Sequence, residues 1–100
     1  MMNMNIQMMM QQAQSMQREI MNKKEEINKK IFPGKYEWVE VSFNGNKEIQ
    51  SILIYKEIIE YDDIEMLEDM IILAIKDSMN KIDKEVEEKL GKYGSLNGLL

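Results

Sequence analysis

Apolar positions change period twice along this chain. From about Met9 they recur at heptad spacing, as Met9, Ala13, Met16, Ile20 and Ile27, with Lys23 or Lys24 where an apolar residue is missing. Gln11, Gln12, Gln14, Gln17, Arg18 and Glu19 fill the polar side, and the pattern predicts an amphipathic helix ending near residue 30. Pro33-Gly34 reads as a turn. The period then falls to two: Val39, Val41 and Phe43 share one side of a strand that begins at Trp38. Asn44-Gly45 follows, a strong hairpin dipeptide. Residues 48–55, EIQSILIY, form the second strand. An odd-length loop sets the Val39 face beside Ile49 and Leu53, an even-length loop beside Ile52 and Ile54. Ile27–Phe32 offers a short third strand.

Residues 61–90 return to a helical period. Asp62 stands at the N-cap position with Glu65 three residues later, the spacing of a capping box. Glu65, Glu68 and Asp69 suit the positive end of the helix dipole. Ile64, Leu67, Ile71, Ala74, Ile75, Ser78, Ile82 and Val86 make one stripe, and Gly91 is a stop signal. Met66, Met70, Ile72, Leu73 and Met79 lie off that stripe, so the first half is apolar nearly all round and predicts burial on several sides. The second half keeps a narrow line, Ile82, Val86 and Leu90, and reads as a projecting arm. Such a helix is about 43 Å long, whereas a globule of this size is about 26 Å across. One monomer does not cover it, and a second copy of the chain is the simplest partner. The expected class is α+β: an N-terminal helix, a small antiparallel sheet of two to three strands and a long C-terminal helix, in a single domain over 1–100. Residues 1–8 are expected to fray, and 91–100, GKYGSLNGLL, to form a flexible tail.

Composition removes most chemistry. With no cysteine and no histidine, disulfides, thiolates, imidazole catalysis and the usual zinc ligands are excluded. Asp62, Asp63, Glu65, Glu68 and Asp69 read as caps and a solvated acidic face rather than a cation site, and no phosphate loop or nucleophile motif is present. No enzyme, cofactor, metal or small-molecule substrate is expected, nor a membrane span or targeting segment. The net charge is −5, unevenly spread. Residues 1–35 carry six basic and three acidic residues, and residues 36–100 carry seven basic and fifteen acidic. Eight of the eleven methionines fall within residues 1–21, which suits either the seam of a helix pair or an adaptable docking surface.

Three runs, MQQAQSMQREI, VEVSFNGNKEIQSILI and DIEMLEDMIILAIKDSM, resemble the YbaB/EbfC family of nucleoid-associated proteins, most specifically through MLEDMI at residues 66–71. The resemblance covers residues 10 to 94. It implies a homodimer with β-segments paired across the interface and helices projecting as tweezer-like arms. It also implies binding of double-stranded DNA in the cytoplasmic nucleoid, with a role in nucleoid organisation and gene regulation. On the matching helix Arg18, Lys23, Lys24, Lys29 and Lys30 are the candidate DNA contacts, and Lys84, Lys89 and Lys92 add to them from the C-terminal arm. Val39, Val41, Phe43, Ile52, Ile54, Leu67, Ile71 and Ile75 are the candidate core and dimer residues. The sequence departs from the family pattern at KYEW, where a glycine-rich approach to the central strand is usual, and at Tyr55-Lys56, where Asp-Pro is usual. The alternative reading is a dimeric interaction module whose Met-rich helix docks on other proteins.

Overall fold

The first helix starts earlier than the heptad pattern indicates. In the computed structural model, which describes residues 5–94, Asn5 caps helix α1 (Ile6–Lys29) by accepting the Met8 N–H on its side-chain oxygen at 3.2 Å. Residues 6–8 are therefore helical rather than frayed, and residues 1–4 lie outside the described residues.

Pro33-Gly34, expected as a turn, lies inside strand β1 (Ile31–Tyr36). The strand tolerates it because β1 is an edge of the sheet, where a missing N–H breaks no ladder. The expected strand over Ile27–Phe32 is thus displaced, since α1 continues through Lys29. Strands β2 (Val39–Asn44) and β3 (Ile49–Ile54) complete an antiparallel sheet in the order β1-β2-β3. Trp38, expected as the first residue of the central strand, belongs instead to the tight β1–β2 turn, where Glu37 takes a positive φ of 50°. Val39 pairs with Ile54 and Val41 with Ile52, the even-loop register. A bulge between Ser42 and Phe43 then brings Phe43 opposite Ile49, so each register holds at one end of the ladder.

Asn44-Gly45 opens the β2–β3 loop without a left-handed glycine, because Lys47 supplies the positive φ, 65°. The Asn44 side chain accepts the N–H groups of Asn46 and Glu48 at 2.9 and 3.1 Å. Gly45 is needed for space: a Cβ there would stand 2.0 Å from the Ile27 carbonyl oxygen, where the last turn of α1 rests on the loop.

The long helix begins with a single 3-10 turn, Tyr61–Asp63, and continues as α2 (Ile64–Leu90). The start is framed two residues earlier than expected. Asp63 accepts the Glu60 N–H at 3.0 Å and donates its own N–H to the Glu60 carbonyl, while Asp62 makes no cap. Gly91 does not terminate the helix in a left-handed conformation; its φ is −59°, and a further 3-10 turn carries the chain through 91–94 and buries Tyr93. The expected flexible tail therefore does not include 91–94, and 95–100 fall outside the described residues.

Helix α2 lies across β1 and β2 rather than β3. Its contact with β1 is close because small residues meet: a Cβ on Gly34 would stand 2.1 Å from the Ala74 carbonyl oxygen. Buried Ser78 donates its hydroxyl to the Phe32 carbonyl at 2.7 Å beside this point. Val39, Val41, Phe43 and Phe32 from the sheet, Met70, Ala74, Ile82, Leu90 and Tyr93 from the long helix and its last turn, and Ile20 and Ile27 from α1 form one core. Leu67, Ile71 and Ile75 are half-buried against it. Ile52 and Ile54, on the same face of the sheet as Val41 and Val39, are exposed because α2 stops short of them.

The last turns of α2 do not project alone. Lys30 bonds Glu85 at 2.9 Å and Lys23 reaches the Tyr93 hydroxyl at 3.4 Å, so α1 and α2 run antiparallel as a two-helix arm. The free end belongs to α1, where residues 6–19 pass the end of the described α2. The molecule is elongated, 77 × 19 × 16 Å.

Candidate nucleic-acid interface

Charge is sorted along this long axis. The connection to α2 and its first turns, residues 57–69, carry seven acidic residues and no basic one. They occupy the end of the molecule beyond the Tyr36–Trp38 turn, beside which Met66 and Asp69 lie. The arm lies at the other side of the sheet. There α1 residues 18–30 carry five basic and three acidic residues, a net of +2. Beyond Arg18, residues 5–17 carry no charge at all.

The arm's cations are not equivalent. Lys30 is held between Glu85, whose side chain is largely buried, and the Phe32 ring, 5.4 Å from its ammonium, so it fastens α1 to α2. Lys23 and Lys92 flank the Tyr93 ring at 5.3 and 5.1 Å, and Lys23 also lies 4.0 Å from Glu19. Lys29 pairs with Glu25 one turn away at 3.0 Å. Exposed pairs of this kind contribute well under about 1 kcal/mol, so Lys29 can leave Glu25 for a phosphate. Arg18, Lys84 and Lys89 make no ion pair among the described residues and stand in solvent. Arg18 and Lys24 share a shallow outer surface of α1 with Met21, Asn22, Glu25 and Asn28. Lys84 lines a second groove with Lys30, Lys81, Glu85 and Glu88, where the carboxylates dilute its charge.

At the acidic end Asp63 is held below the usual carboxylate range, first by the Glu60 N–H and then by Lys56, 3.4 Å away. Lys56 also stacks over the Trp38 ring at 4.2 Å, and the Tyr55 N–H donates to the Trp38 carbonyl at 2.7 Å. The two departures from the family pattern thus touch one another: Trp38 provides the platform on which Tyr55-Lys56 reach the start of α2. Among the described residues no three acidic side chains converge as a cation site, and no helix is long and apolar enough to cross a membrane.

Apolar side chains on both faces of the second hairpin strand predict its burial on both sides, and the structure instead leaves β3 exposed along its length. Ile49, Ile52, Leu53, Ile54 and Tyr55 are all exposed along β3, as are Ile72 and Leu73 on α2. The signal for this open surface is the same run of apolar residues on both faces of EIQSILIY.

The chain matches the model of the YbaB/EbfC DNA-binding family over residues 1–96. The chain belongs to that family. A nucleoid-associated protein of Ligilactobacillus salivarius is 39% identical over 90% of this chain and 88% of its own length. Another from Enterococcus faecalis is 37% identical over 89% and 88%. A third, from Chloroflexus aurantiacus, is 38% identical over 96% of this chain and 99% of its own. YbaB/EbfC membership makes this a DNA-binding, nucleoid-associated type of protein. In this member the basic residues expected from the sequence lie along one two-helix arm, but in three different electrostatic situations: fastened (Lys30), loosely engaged (Lys23, Lys29, Lys92) and unpaired among the described residues (Arg18, Lys84, Lys89).

Proposed function

We propose that the protein is a homodimer that binds double-stranded DNA with little sequence preference, in the cytoplasmic nucleoid, and contributes to nucleoid organisation and gene regulation. The observation that carries this reading is the excess of cations on the α1 side of the arm, five basic to three acidic over residues 18–30, with the acidic stretch 57–69, which holds no basic residue, at the far end of α2. Phosphates are recognised by lysine and arginine without regard to sequence, and neither outer face of the arm presents a compact base-reading element. Dimerisation is supported by β3, an open edge with unpaired backbone groups and exposed Ile52 and Ile54 beside the flank of α2. Soluble proteins protect or pair such edges. A second copy docked there covers that surface and carries two arms. The protein has no catalytic or small-molecule role in this reading.

The test is fluorescence anisotropy with a labelled duplex across a salt series, on protein of dimer mass by light scattering. Binding is expected to weaken log-linearly with salt and equally for unrelated sequences. Arg18→Ala with Lys84→Ala should flatten the slope by about one unit for each phosphate that the arm ceases to neutralise. Lys30→Ala should act on stability instead. Unchanged affinity and slope in the Arg18/Lys84 variant would remove the arm from the DNA-contact surface. A second reading, an interaction module whose Met-rich helix docks on other proteins, is favoured by the exposure of Met8, Met9 and Met10. It requires an intact dimer that shows no salt-dependent binding even at low salt.

A further inference from the structure

The apolar seam of α1 does not end where its cover ends. Ile20 and Ile27 are buried against the long helix, and the same side of α1 continues as Met16, Ala13, Met9 and Ile6. Along this continuation Met16 is 40% exposed, Met9 56% and Ile6 74%. No described residue covers it. A helix without tertiary contacts is marginal in water at this length, yet α1 is continuous from its Asn5 cap.

The geometry points to a second copy of the same stripe as its occupant, joining the arm tips of two molecules in an antiparallel helix pair. Two observations favour a second copy over other partners. The stripe continues a helix–helix seam already built in this molecule, with apolar residues at the same spacing. The tip is also uncharged from residue 5 to residue 17. It therefore has nothing to repel its own copy, and nothing to attract DNA phosphates or an anionic membrane. Four side chains on each helix make a patch well below the roughly 1,200 Å² of a stable interface. A single tip contact is therefore weak, and two arms per molecule strengthen it by raising effective concentration. The consequence rests on the homodimer reading: joined tips would link dimers to one another and bring two DNA segments together.

Sedimentation over a rising concentration range tests this with Met9→Glu/Met16→Glu. A control, Gln11→Glu/Gln14→Glu, places the same charge on the opposite side of the same turns. All four positions are exposed, so both variants keep the fold. Wild type and control are expected to pass from dimer to tetramer and beyond, while Met9→Glu/Met16→Glu stops at the dimer. That variant should still bind a labelled duplex but lose capture of a second duplex on beads. The chain has no cysteine, and an antiparallel overlap of the stripe sets residue 9 of one copy against residue 13 of the other, so an oxidised mixture of Met9→Cys and Ala13→Cys proteins should give a tip-linked pair. A wild type that stays dimeric and whose Glu variant stays dimeric too, or assembly that the Glu variant leaves intact, overturns the tip contact and leaves the homodimer reading standing. A Glu variant that falls to monomer from a dimeric wild type places the dimer seam at the tip and overturns pairing through β3.

Discussion

Replacing Gly34 by alanine tests how the arm is seated. The new Cβ would stand 2.1 Å from the Ala74 carbonyl oxygen, 2.6 Å from the Ser78 nitrogen and 2.8 Å from the Ser78 Cβ. These atoms belong to the body of α2 and have no rotamer through which to retreat. Ordinary contact begins near 3.4 Å, so α2 or β1 must move by more than an ångström. The movement strains two bonds that lock the pair, Ser78 Oγ to the Phe32 carbonyl at 2.7 Å and the Lys35 N–H to Asp77 at 3.0 Å. Overpacking costs about 1–3 kcal/mol or more, and each hydrogen bond adds about 1 kcal/mol. The expected loss is about 3–5 kcal/mol, a large part of the roughly 5–15 kcal/mol that holds a domain together. Urea unfolding followed by far-UV circular dichroism measures it, at one protomer concentration because association feeds into apparent stability. Ser78→Gly added to Gly34→Ala should not restore stability, because two of the three collisions are with backbone. A Gly34→Ala protein within about 0.5 kcal/mol of wild type, the range of an ordinary surface change, would refute the seating described here.

Gly45→Ala should destabilise by about 1–3 kcal/mol, since its Cβ would stand 2.0 Å from the Ile27 carbonyl oxygen. Gly45→Asn separates causes: a left-handed turn tolerates asparagine, whereas the collision with Ile27 makes it as costly as alanine in the same urea titration. For Asp63, the folded-state value lies below the unfolded one, so its contribution is present above the unfolded value and lost as pH falls through the folded value. Asp63→Asn should remove that part of the acid limb in a pH series of thermal melts, and an acid limb identical to wild type would show that Asp63 contributes nothing there.

The helices and the central strand were legible because each obeys one period over its full length. Where the sequence reading failed, the deciding contact was distant or the local code was ambiguous. Pro33-Gly34 signals a turn in any isolated peptide; it stays in a strand because β1 is an edge and because Gly34 lets α2 approach. Glu60, Asp62, Asp63 and Glu65 offer two capping frames two residues apart, and the sequence does not rank them. Gly91 is an ordinary stop signal overruled by Tyr93, which finds cover on α1 two residues later. The basic bias of the front third was readable, but not its division into fastened and solvent-facing cations. Lys30 and Glu85 are 55 residues apart, and nothing local to either announces the bond. The two departures at Trp38 and Tyr55-Lys56 likewise become one feature only in three dimensions.

The net charge of −5 is a weak argument against DNA binding. What DNA experiences is the local field of the surface it touches, screened over about 10 Å at 0.1 M salt. Glu65, near the acidic end, and Glu85, where α1 meets α2, are twenty residues apart on one continuous helix. At about 1.5 Å per residue that is roughly 30 Å, or three screening lengths. In the proposed DNA complex, at such salt, a phosphate on the outer face of α1 would lie near Arg18, Lys24 and Glu25 and would feel little of the carboxylates at residues 57–69. At low salt the screening length grows to about 30 Å and the acidic end comes into range. Repulsion then offsets part of the counterion gain. Affinity should therefore rise less steeply toward low salt than the number of cations on the arm implies. The same asymmetry orients the encounter, because a polyanion approaching this molecule is turned away from the start of α2 and toward the arm.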